Sequence, residues 1–267
     1  MRRIMIAGTN SGCGKTTVTC AVLQALVNRK INVSSFKCGP DYIDPMFHKT
    51  VIGTAAYNLD TYLMSNDAVN YLLNKNSGDI AVIEGVMGFY DGFSFTEKGS
   101  THELSEITDT DVILVVNCRG MSLSAMALVK GFKEFRKNNI KGVIFNNLSE
   151  KMYGNLAEKC RKIGLTPLGF LPNIKDVQIS SRHLGLVTAG EIDDIKDKMN
   201  LLADYAEKYI DIDKILEISE NDRDTKFASP EITKKYNVKI AVAYDRAFCF
   251  YYEDNLDLLK ECGAKIV

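Results

Sequence analysis

Gly8-Thr-Asn-Ser-Gly-Cys-Gly-Lys-Thr-Thr17 follows the apolar run Ile4–Ala7 and opens a helix-like segment. Strand, glycine-rich turn and helix in that order form a loop that cradles phosphate, because backbone N–H groups and the positive end of the helix all face the anion. Lys15 then reaches the β- and γ-phosphates and the Thr16 hydroxyl reaches Mg²⁺, while Asn10, Ser11, Gly12, Cys13, Gly14 and Thr17 complete the cradle for a nucleoside triphosphate. The strict pattern asks for glycine five places before Gly14, where this chain has Thr9, and the glycine falls one earlier at Gly8. The motif is therefore a variant. A chance glycine-rich turn is the competing account, and the order strand, loop, Gly14-Lys15-Thr16, helix argues against it.

Working outward, short apolar runs recur at 33–36, 80–83, 112–116, 142–145 and 167–171, separated by helical stretches at 17–29, 122–137, 151–163 and 191–209. This rhythm predicts an α/β fold, a P-loop NTPase-like parallel sheet with helices on both faces. Residues 1–218 form that domain. Residues 219–237 turn polar and read as a linker. From 238 a strand, an aromatic loop, a helix over 254–262 and an apolar run at 264–267 read as the start of a second α/β domain, about 30 residues long and too short to bury its own core. The expectation is a piece of a longer protein, or a last unit docked on the first domain.

With 267 residues, 46% hydrophobic and 25% charged, the chain supports a large soluble core. A net charge of −1 gives no general pull toward nucleic acid or an anionic membrane. The apolar stretch before Gly8 is too short for a signal peptide, and no apolar run reaches membrane-spanning length. Seven cysteines, odd in number and without a C-x-x-C pair, fit a reducing, cytoplasmic setting. The histidines have no metal-ligand spacing, so no zinc site is expected.

In a parallel sheet, chemistry gathers in the loops at the carboxyl ends of the strands. Lys37-Cys-Gly-Pro-Asp-Tyr-Ile-Asp-Pro45 is a stiff acidic loop, with Asp41 and Asp44 bracketing Tyr42, suited to holding Mg²⁺ or orienting a substrate. A plain Asp-capped turn is the alternative. Ile80-Ala-Val-Ile-Glu-Gly-Val-Met-Gly-Phe-Tyr-Asp-Gly92 ends a strand on Glu84, a metal-side acid, with Asp91 at the rim. Asn146 ends a later strand and offers a donor and an acceptor to a base edge, though Asn is also a frequent turn residue. Ser181-Arg-His-Leu-Gly-Leu186 puts Arg182 and His183 in a loop, a pairing for phosphate or carboxylate, or else a solvated face.

These four motifs, in this order and at these separations, resemble the cobyrinic acid a,c-diamide synthase family of cobalamin biosynthesis, over nearly the whole chain. Ala243-Tyr-Asp-Arg-Ala-Phe-Cys-Phe-Tyr-Tyr252 is similar to the opening of that family's glutaminase domain. The resemblance implies an ATP-dependent carbon–nitrogen ligase, a glutamine amidotransferase when complete. A tetrapyrrole carboxylate takes the γ-phosphoryl group, and ammonia converts the acyl phosphate to an amide. It implies Lys15 and Lys37 at the transferring phosphate, Mg²⁺ on Thr16, Asp41 and Glu84, and adenine read by Asn146. Tyr42, Asp44, Asp91, Arg182 and His183 then face the tetrapyrrole or the anhydride. The family's nucleophilic cysteine would lie beyond residue 267, and Cys249 has no His–carboxylate partner after it, so free ammonia is the expected nitrogen donor. A homodimer is one expectation for so large and flat a substrate.

Three rivals stand beside this reading. A sister synthase that amidates nickel-sirohydrochlorin has similar motifs. A nucleotide-switched partitioning ATPase would carry a second lysine early in the phosphate loop, where this chain has Asn10. A kinase would need an arginine-rich lid segment, which the sequence lacks.

Overall fold

A computed structural model describes residues 1–174, 189–220, 227–232, 235–245 and 247–267. Seven parallel strands form one sheet in the order β3-β2-β4-β1-β5-β6-β7. They are β1 (Arg2–Gly8), β2 (Val33–Cys38), β3 (Ala55–Leu59), β4 (Ile80–Glu84), β5 (Val112–Asn117), β6 (Ile140–Asn146) and β7 (Thr166–Leu171). Side chains alternate across each strand, so both faces can be apolar. Ile4, Ile6, Ile80, Val82, Ile113 and Val115 pack on one face with α1 (Lys15–Asn28), α7 (Ala189–Tyr209) and α8 (Ile212–Ser219). Met5, Ala7, Ala81, Ile83, Leu114 and Val116 pack on the other, under α3 (Asn66–Asn76), α4 (Thr101–Ile107), α5 (Ser124–Glu134) and α6 (Glu150–Lys162).

The sequence rhythm misses β3, α3 and α4. The strand β3 is a short edge strand with Tyr57 and Asn58 where an apolar run would be read, yet Asn58 is buried. Its Nδ2 donates to the carbonyls of Gly39 (3.0 Å) and Asp41 (2.7 Å), which pins the acidic loop after β2. The helices α3 and α4 begin on Ser65 and Ser100, whose hydroxyls accept the N–H of Ala68 and Glu103. A turn of π-helix over His48–Ile52 follows α2 (Ile43–Phe47) directly.

Beyond residue 237, β8 (Val238–Ile240) pairs in parallel with β9 (Ala264–Ile266) across α9 (Glu253–Glu261), a right-sized βαβ unit but a thin one. The strand β8 is shorter than the apolar text from 238 to 244 suggests. The unit rests on the large sheet's edge. Tyr42 lies 5.5 Å from Phe250 and 5.0 Å from Tyr252, ring centre to ring centre, and Tyr252 Oη donates to Asp60 at 3.3 Å. Lys49 pairs with Glu253 at 2.6 Å, and Asn76 Nδ2 donates to Asp254 Oδ1 at 2.7 Å.

Candidate active site

The carboxyl ends of β1, β2 and β4 are neighbours in the sheet and bring three motifs to one spot. The helix α1 starts at Gly14 with no side-chain cap and no acid in its first turn, so its positive end is open to an anion. Gly14 has φ 97°, and a Cβ there would stand 2.0 Å from Asn146 Nδ2. That amide donates to the Cys13 carbonyl at 3.0 Å, so Asn146, at the end of β6, braces the phosphate loop from below. A Cβ on Gly8 would meet Cys13 Sγ at 2.4 Å and Lys15 Cγ at 2.7 Å. The offset glycine of the variant motif thus makes room for the lysine stem. Asn10, Ser11 and Gly12 are exposed, and Thr16 and Thr17 are half-buried, along the rim of the loop.

Lys15 is 8% exposed, and its ammonium donates to the main-chain carbonyls of Met87 and, at 3.5 Å, Asn10. Among the described residues it makes no ion pair. Burial lowers its pKa, the like charge on Lys37 adds to this, and the negative groups nearby, Glu84 and Asp44 among them, offset only part of the fall. The cation is therefore short of negative charge, which a phosphate would supply.

Lys37, 5% exposed, has the opposite surroundings. It bonds Asp44 and lies 3.0 Å from Glu84 Oε1 and 3.7 Å from Asp41 Oδ2. Burial works to lower its pKa, but the carboxylates of Glu84, Asp44 and Asp41 overcome this and hold the ammonium well above its usual range. Asp44 is pushed up, by burial first and then by the charge on Glu84. The two partners of one ion pair thus shift in directions that favour opposite fates. The surplus of carboxylates resolves the conflict: three of them face one ammonium, so the lysine stays charged and Asp44 bears the crowding.

Thr16 Oγ1 donates to Glu84 Oε1 at 2.7 Å. Glu84 is fully buried, and among the described residues its Oε2 has no hydrogen-bond partner. A carboxylate has about four lone-pair sites, so a hydroxyl beside this buried one is an all-oxygen set that fits Mg²⁺ even with other donors on the carboxylate. No group of three or more His, Cys, Asp or Glu among the described residues is arranged to hold a metal alone, so such an ion would share its ligands with phosphate and water. Asp41 Oδ1 accepts the N–H of Ile43 (2.9 Å) and Asp44 (3.2 Å) and shapes the loop into α2. Asp91 is exposed and accepts the Gly88 N–H at 3.0 Å, tightening the turn whose Met87 carbonyl receives Lys15.

Residues 4–187 match the family model described as the CobQ/CobB/MinD/ParA nucleotide binding domain. The chain belongs to that family. A cobyrinate a,c-diamide synthase of Thermoplasma volcanium is 44% identical over 99% of this chain and 59% of its own length. One of Methanocaldococcus jannaschii is 42% identical over all of this chain and 62% of its own. The chain therefore spans about three-fifths of the length of these curated relatives. The solved MinC:MinD cell division complex of Aquifex aeolicus is similar at 14% identity and a TM-score of 0.49, over 82% of this chain and 94% of that one.

Within this nucleotide-binding domain, the structure brings together Lys15, Thr16, Lys37, Asp41, Asp44 and Glu84. Tyr42 is stacked on Phe250 and Tyr252 at the edge of the group. Arg182 and His183 lie outside the described residues. Sequence reasoning missed His48, which is buried with Nε2 3.5 Å from Glu84 Oε2. The signal was present: Asp44 and His48 are four apart in a helical stretch, a spacing that puts both on one side.

Proposed function

We propose that this chain carries the ATP-dependent amidating activity of a cobyrinate a,c-diamide synthase. Residues 1–218 would be the synthetase domain, 219–237 the linker and 238–267 the start of a glutaminase domain. The observation that carries the reading is the meeting of Lys15, Thr16, Lys37 and Glu84 at the ends of β1, β2 and β4. Two buried cations of opposite electrostatic balance stand there beside an all-oxygen metal pair. The names of relatives at about 40% identity supply the substrate class, a macrocycle bearing carboxylate side chains.

A carboxylate resists attack because oxide is a poor leaving group. One carboxylate oxygen attacks the γ-phosphorus, ADP leaves, and the acyl phosphate now carries a good leaving group. Ammonia attacks the acyl carbon, phosphate departs, and the nitrogen loses a proton. Lys15 would hold the β/γ-phosphates and Lys37 would face the charge on the transferring group. Thr16 and Glu84 would hold Mg²⁺, with Asp41 the outlying member of that set; when bound, the ion neutralises phosphate charge. Asp44 and Asp91 would face the acyl phosphate. Burial pushes the pKa of Asp44 up, which suits a proton acceptor during attack by ammonia. Asn146 would reach adenine with the amide atoms not given to Cys13, and Tyr42, Arg182 and His183 would contact the macrocycle.

The test is ATP turnover with Mg²⁺ and ammonium, with and without cobyrinic acid, following products by mass. Replacement of OH by NH₂ at two carboxylates, with ADP released for each, supports the reading. Turnover only with nickel-sirohydrochlorin moves it to the sister reaction. Hydrolysis indifferent to either substrate replaces it with a nucleotide switch.

A further inference from the structure

His48 is a buried polar group for which the proposed reaction has no use. It is 1% exposed, and among the described residues neither ring nitrogen has a hydrogen-bond partner. Glu84 Oε2 is equally buried and equally unpartnered, and it lies 3.5 Å from His48 Nε2. Leaving a buried donor or acceptor unsatisfied is costly, so two such atoms facing one another form a pair that closes by a small movement. The other oxygen, Oε1, is already taken by the Thr16 hydroxyl at 2.7 Å and Lys37 at 3.0 Å.

The backbone explains why the imidazole arrives there. His48 opens the π-helical turn that follows α2, one helical turn after Asp44, and such turns occur often at functional sites. An imidazole can present an N–H at Nε2, and a carboxylate oxygen facing it can only accept. A carboxylate oxygen opposite Nε2 selects the tautomer with the proton on Nε2, an assignment made from geometry.

We propose that His48 is a positioning residue: its Nε2–H donates to Glu84 Oε2 and fixes the rotation of that carboxylate, which keeps the Thr16–Glu84 pair aimed at a nucleotide-bound divalent cation. Residues one step out from a metal ligand commonly act this way, and losing one costs about 10–100-fold in metal affinity. The inference rests on Thr16 and Glu84 being the metal side of the site.

The experiment needs no turnover. ADP binding is measured by calorimetry across a Mg²⁺ titration, and again with a chelator, for the unaltered chain, His48→Phe and His48→Gln. Glutamine can carry an amide N–H to about the position of Nε2, whereas phenylalanine fills the space without a donor. The expected result is a Mg²⁺ requirement about 10–100-fold higher in His48→Phe, unchanged ADP binding in chelator, and recovery to within a few-fold in His48→Gln. Thermal melting checks that both variants fold, and His48→Gln against the unaltered chain keeps the test open if His48→Phe does not. An unchanged Mg²⁺ requirement in His48→Phe overturns the role of His48 alone. Equal losses in both variants overturn it too, since packing then explains the effect. ADP binding indifferent to Mg²⁺ in the unaltered chain overturns the metal assignment of Thr16 and Glu84 together with this inference.

Discussion

Lys15 opens α1 after β1 and Lys37 lies on β2, on the far side of β4; they are buried to nearly the same degree, yet they are opposites. Lys15 bonds main-chain carbonyls, and its pKa is lowered; Lys37 sits among Asp41, Asp44 and Glu84, and its pKa is raised. The first is a cation with no direct ion pair among the described residues, its nearby carboxylates too weak to offset its burial, which is how a site waits for phosphate. The second is already neutralised, so it binds the acidic loop to the end of β4 and can also meet an incoming charge. Burial alone therefore does not assign a lysine its task. The groups around it do.

The largest effect should come from Lys37→Met, which leaves buried carboxylates without their cation. Breaking such a cluster costs about 3–5 kcal/mol, and adding Asp44→Asn should recover part of it. Equal melting temperatures for the unaltered chain and Lys37→Met would erase the contrast between the two lysines. Lys15→Met should do the reverse: turnover falls about 100- to 1000-fold, the scale of losing one aimed donor, while the melting temperature holds or rises. A large loss of stability there would mean that Lys15 too is a structural cation.

Asp254 sharpens the comparison as a buried carboxylate with an amide partner rather than an ammonium. Burial raises its pKa from 3.8 to about 6. The folded chain then holds the proton more tightly than the unfolded one, so stability falls as pH rises through that window. The full penalty, roughly 3 kcal/mol from these values, is present above pH 6. Asp254→Asn should flatten the melting profile between those limits and stabilise the chain above them. An unchanged profile would mean that Asp254 finds its counter-charge after all. The smallest effect belongs to Tyr42→Leu, which removes the aromatic stack on Phe250 and Tyr252 for about 0.5–1.5 kcal/mol. Limited proteolysis of the segment beyond residue 237 would detect it, and unaltered protection would show that the polar contacts of Lys49, Lys75, Asn76 and Tyr252 hold the unit without the stack.

The sheet was legible because its strands are apolar on both faces, and the phosphate loop because each residue in it has a fixed job. The strand β3 was hidden by Tyr57 and Asn58, whose value is in bonding and stacking that only the fold reveals. Asn146 could be picked out as a polar strand end, but its bond to the Cys13 carbonyl joins residues 133 apart, and no local pattern records that. His48 was passed over because a lone histidine lacks metal spacing, whereas its meaning lies in an unpaired oxygen on β4. The offset of Gly8 became intelligible only when the Lys15 stem was seen to cross above it.

The most direct test of the account uses cobyrinic acid labelled with ¹⁸O in its carboxylates, with ATP, Mg²⁺ and ammonium. If the carboxylate takes the γ-phosphoryl group before ammonia attacks, each amide formed should leave one labelled oxygen in the inorganic phosphate. Amide formed alongside unlabelled phosphate would contradict the acyl phosphate, and with it the roles given to Lys15 and Lys37.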